Sequence, residues 1–128
     1  MTSASIRIGD EGESIQIFGI DFGFKDSPDL LYSSLCQLGF CCTLSEMPNY
    51  ASVYAEDSVR GLKITAHFND DTLGRIVLSP LGVLDNVPSW MKTVSENIGP
   101  EIHKAGITVD TALDIKTGRP TIYVNLTN

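Results

Sequence analysis

The sequence predicts an α+β domain, a mainly antiparallel sheet in the order ββα-βββ-α-ββ with two helices packed on one face. Three observations carry the prediction. Residues 107–126 alternate apolar and polar on both sides of a glycine-containing turn. Residues 50–78 repeat that period-two pattern through two polar turns. Two apolar stripes of helical spacing each end at a glycine, Gly39 and Gly106.

Taken in order, Ser5-Ile6-Arg7-Ile8 opens a short strand, Asp10 to Glu13 is a polar turn, and Ile15-Gln16-Ile17 returns. The apolar parity then slips towards Phe18, Ile20, Phe22 and Phe24, which predicts a bulge or bend near Ile17–Gly19, since a one-residue slip turns side chains to the opposite face. Ser27 suits a helix N-cap, Pro28 the first helical position and Asp29 the positive end of the dipole. Leu31, Leu35 and Leu38 form the stripe, and Gly39 fits the left-handed position that lets Phe40 fold back on Leu35.

After a loop at Ser45–Asn49, Tyr50–Ala55 reads as a strand and Leu62, Ile64, Ala66 and Phe68 as the inward side of the next. Asn69–Thr72 is a tight turn before Arg75-Ile76-Val77-Leu78. Val87, Met91, Val94, Ile98, Ile102 and Ala105 then recur in helical steps across Gly99-Pro100, predicting one kinked helix or two abutting ones. Gly106 ends this stripe, with Ile107 set to touch Ile102. In the closing hairpin Ile107, Val109, Leu113, Ile115, Ile122, Val124 and Leu126 form the dry side.

With 128 residues, 42% apolar and 20% charged, the chain reads as a single globular domain over 1–128. No apolar run reaches the roughly 18 residues of a membrane span, and residues 1–5 lack the features of a secretory signal. The expected setting is cytoplasmic. The net charge of −7, with nine basic residues scattered singly, argues against nucleic acid and membrane surfaces and favours a basic protein partner. Cys36, Cys41 and Cys42 form no CxxC pair and are expected to be reduced and buried near the first helix's end.

Local motifs for chemistry are absent. Asn69, Asp71 and Gly74 mimic the start of a calcium loop, but its twelfth position is Pro80, where a bidentate glutamate is required, so the segment reads as a hairpin turn. There is no nucleophile elbow and no phosphate-binding glycine loop. His103 suits the negative end of a helix dipole, and His67 an outward, solvated strand position. No catalytic residue, metal ligand or cofactor is therefore assigned.

The wet side of the closing hairpin offers the one nameable surface. Asp110 and Asp114 share a side with Tyr123, a pairing suited to docking a lysine or arginine. The leading reading is a small acidic inhibitor of the bacterial toxin-immunity type, masking a basic partner such as a toxin. One alternative is a small-molecule module or enzyme, with a pocket between sheet and helices lined by Phe18, Phe22, Phe24, Tyr50 and Tyr54. Another is a self-associating subunit, a homodimer formed through the C-terminal strand edge.

Overall fold

The computed structural model describes residues 6–9, 11–59, 61–81, 92, 96–113, 116 and 119–126. These hold two antiparallel sheets, of three and six strands, and two helices, an α+β fold. None of the helices among the described residues is long and apolar enough to cross a membrane.

The small sheet consists of β1 (Ile6–Ile8), β2 (Ser14–Ile17) and β3 (Ile20–Gly23), one strand more than predicted before the helix. The parity slip at Ile17–Gly19 is a chain reversal, not a bulge. Ile17 pairs with Ile20, and Phe18 (φ 52°) and Gly19 (φ 80°) form the left-handed two-residue turn between them. Strands of three or four residues are too short for periodicity to tell a bulge from a reversal. One face of this sheet carries Ile6, Ile15, Ile17, Ile20 and Phe22, all buried.

Helix α1 (Pro28–Gln37) is punctuated as its sequence implies. Ser27 Oγ accepts from the Leu30 amide at 3.2 Å. At the other end Gly39 (φ 98°) lets its own N–H reach Cys36 O and that of Phe40 reach Leu35 O, each at 3.1 Å. Leu31 and Leu35 are fully buried, a contribution of about 1.5–3 kcal/mol each. Leu38 is 45% exposed, because it caps the helix and Phe40 takes its place in the core.

The large sheet runs β4 (Cys41–Met47), β5 (Tyr50–Asp57), β6 (Leu62–Asn69), β7 (Thr72–Pro80), β9 (Pro120–Asn125), β8 (Thr108–Leu113). β4 was not foreseen, and residues 45–47, expected in a loop, belong to it. Its Cys42 and Leu44 are only half-buried, so the alternation is faint. Inner-face residues Val53, Ile64, Phe68, Ile76, Leu78, Ile122 and Val124 are fully buried and join the small sheet's isoleucines and the α1 leucines in one core. α1 packs on β4 and β5.

Two further expectations are corrected. Ile98 is not helical: it forms a parallel bridge with Ile6, whose N–H reaches Asn97 O at 3.3 Å while Gly99 N–H reaches Ile6 O at 2.8 Å. Helix α2 is Glu101–Lys104 and follows Pro100, so Ile98 and Ile102 meet the core from different structures. Its predicted ending at Gly106 holds, with Gly106 N–H on His103 O and Ile107 N–H on Ile102 O. Val87, Met91 and Val94 lie outside the described residues. The C-terminal strand β9 is not an edge, since β7 and β8 flank it. The edge is β8, where Val109 is half-buried and Leu113, assigned to the dry side, is 53% exposed; Ile115 lies outside the described residues.

Candidate functional site

The outer face of the large sheet collects the chemistry. Cross-strand register sets Ser52, His67, Arg75, Asn125 and Thr108 in one row across five strands, and Tyr54, Thr65, Val77, Tyr123 and Asp110 in the next. Arg75 joins this face through a bulge. His67 pairs with Arg75 but Phe68 pairs with Leu73, so Gly74 is an extra residue that restores the alternation one step late. In a regular, unbulged Leu73-Gly74-Arg75 run, Arg75 would share the parity of buried Leu73.

Two connected networks hold the face. His67 Nδ1 lies 2.6 Å from Tyr50 Oη and 2.9 Å from Ser52 Oγ. The Tyr50 and His67 rings stack with centroids 5.9 Å apart and 26° between planes. Both hydroxyls are able to donate, so an unprotonated Nδ1 accepts from them and leaves the ring proton on Nε2. Burial, and then the Arg75 cation, push His67 below the ordinary histidine value and favour this neutral ring. Ser52, a polar residue only 1% exposed, finds its partner here.

In the second network Arg75 Nε donates to Asn125 Oδ1 at 2.7 Å, and its guanidinium carbon sits 5.5 Å from the Tyr123 ring centroid. Asn125 Nδ2 donates to Thr108 Oγ1 and Asp110 Oδ2, both at 3.3 Å. The arginine is thus held by an amide on one side and a ring on the other. A cavity of about 460 Å³ opens where the two networks meet, lined by Tyr50, His67, Asn69, Arg75, Thr108 and Asn125.

The structure sets Asp110 directly opposite Tyr123 in the β8–β9 register. Asp114 lies outside the described residues. Sequence reasoning did not connect this pair to Arg75 or His67, which come from other strands, or to Asn125, two residues beyond Tyr123 on β9. The one available signal was the outward parity of His67 and Arg75, and the Gly74 bulge disguised the second. The five aromatics of the alternative pocket do not meet: Phe22 is buried beneath the small sheet, whereas Tyr50 and Tyr54 stand 42% and 40% exposed on the outer face.

Negative charge gathers elsewhere. A concavity of about 400 Å³ is lined, among the described residues, by Asp29, Glu46, Asp70 and Asp71 and by no basic residue. A larger groove, about 1,100 Å³, lies beside α1 and has, among the described residues, Glu11, Glu13, Asp21 and Asp26 against Lys25. Among the described residues, eight carboxylates therefore line two concavities that share α1. Tyr50 lines both the first of these and the outer-face cavity, making the two surfaces continuous. Asp70 (φ 50°) and Asp71 (φ 62°) form a left-handed hairpin turn between paired Asn69 and Thr72, the geometry expected of a turn.

The cysteines differ from expectation. Cys36 and Cys41 are exposed and Cys42 is half-buried, because Cys36 sits on the outward side of α1 and Cys41 on the open edge strand. Burial and the neighbouring Cys36 push the Cys42 thiol up to about 12, and its Sγ donates to Phe40 O at 3.6 Å. Alkylation by iodoacetamide near neutral pH should therefore leave Cys42 until last, and peptide mass spectrometry showing Cys42 modified first would contradict that order. Among the described residues, no three His, Cys, Asp or Glu side chains converge as metal ligands. No protein-family model, curated protein or solved structure matches this chain.

Proposed function

We propose that this protein is an inhibitor or neutraliser of the bacterial toxin-immunity type, which masks a basic protein partner with the outer face of its six-stranded sheet. One observation carries the reading. Exposed tyrosines and a pre-set Asp110–Tyr123 pair share a regular sheet face that continues, through Tyr50, into a concavity lined, among the described residues, by four carboxylates and no base. Tyrosine supplies contact area with little conformational entropy to lose, and the carboxylates steer and orient a cationic partner. Free thiols, two of them exposed, suit work in a reducing cytoplasm.

The test uses the protein as bait against a lysate of its own source, with a variant combining Asp110→Lys, Asp114→Lys and Tyr123→Ala as control. A basic protein should be captured by the wild type, should lose its own activity on stoichiometric binding, and should associate more slowly as salt rises. Loss of a central tyrosine contact costs about 2 kcal/mol, close to thirtyfold in affinity, with charge reversal adding to it. Capture unchanged by the triple substitution would sink the assignment of this face. A captured partner that keeps full activity when bound would remove the neutraliser reading.

A further inference from the structure

The outer-face cavity carries an inference that does not rest on the docking of a protein. Its lining is dominated by donors. Arg75 brings a guanidinium, Asn69 an amide and Thr108 a hydroxyl, while His67, whose unprotonated Nδ1 accepts from Tyr50 and Ser52, offers the Nε2 proton. Asp110, the carboxylate in this network, does not line the cavity. It accepts from Asn125 Nδ2, and the same amide's Oδ1 accepts from Arg75 Nε, so Asn125 stands between the two charges. Among the described residues no carboxylate forms an ion pair with Arg75.

We propose that this cavity binds the oxyanion of a small organic molecule, a phosphate monoester or a carboxylate, with Arg75 as its principal charge. The guanidinium fork fits both groups in bidentate fashion, and Asn125 and Tyr123 already hold it in place, so little freedom is lost on binding. At about 460 Å³ the cavity exceeds what a bare ion fills, and the Tyr50 ring stacked on His67 offers a flat side to an aromatic or sugar ring. The Gly74 bulge gives the arrangement a structural cause, since it turns Arg75 to this face.

The test is an NMR titration of the intact protein with phenyl phosphate, benzoate and inorganic phosphate in separate arms. Saturable shifts of the His67 and Tyr50 ring signals should appear with phenyl phosphate or benzoate, weaker with inorganic phosphate. The bound anion offsets the Arg75 charge, so His67 should titrate at higher pH in the complex, with Tyr50, Arg75 and Asp110 as the other ionisable groups of the network. Arg75→Gln, at an exposed position, should weaken binding by about tenfold or more, and Arg75→Lys should restore part of it. No saturable shift at millimolar ligand, or equal binding by Arg75→Gln, overturns the proposal.

Discussion

Truncating Phe68 to alanine is expected to cost about 3–5 kcal/mol, a large part of the roughly 5–15 kcal/mol that holds a domain of this kind together. Phe68 is fully buried on the inner face of the large sheet, opposite Ala51 on β5 and Leu73 on β7, with Ala66 beside it on its own strand. Two of these neighbours are alanines and cannot swing in to fill the space, so the void persists. The measurement is urea unfolding followed by fluorescence and circular dichroism, with a lower midpoint at unchanged slope. His67→Ala, one residue away but on the outer face, should cost far less. The pair also tests the register, because a one-residue slip of β6 would exchange the two side chains and invert the result.

The second effect is a loss of stability on the acid side, centred on His67. The folded state holds this ring below the ordinary histidine value of 6.5, by burial first and the Arg75 cation second. In that window the unfolded chain binds a proton that the folded chain refuses, so stability rises with pH. The contribution is complete above about pH 6.5, the unfolded value, and is lost progressively as pH falls towards the folded one. Protonation converts Nδ1 from acceptor to donor between the Tyr50 and Ser52 hydroxyls and adds a second cation beside Arg75. Unfolding midpoints measured between about pH 5 and 7.5, above most carboxylate titrations, should fall with acidity in the wild type. In His67→Gln that slope should largely vanish; an equal slope in both proteins would assign the acid sensitivity to another group.

The helix signals were legible wherever they are local. Ser27, Pro28 and Gly39 around α1, and Gly106 after α2, act on backbone groups within a few residues, and each took the role that its type implies. The strands read less evenly. Ile122 and Val124 alternate because both neighbours of β9 are in place, whereas β8 and β4, at the sheet's edges, bury too little for the pattern to carry. The stripe through Ile98 and Ile102 kept helical spacing for a non-helical reason, a bridge to β1 that lies more than ninety positions away in the chain.

The sequence by itself determined the α+β class, the caps, the turn at Asn69–Thr72 and the shared side of Asp110 and Tyr123, because each follows from neighbours along the chain or from the period of a single strand. Only the tertiary structure decided that β9 lies inside the sheet and that His67, Arg75 and Asn125 form a row. It also decided where the carboxylates gather. Those arrangements depend on which strands lie side by side and on one extra residue, Gly74, that shifts the register. Pairing between distant strands is settled by burial of the whole core, which no local pattern records.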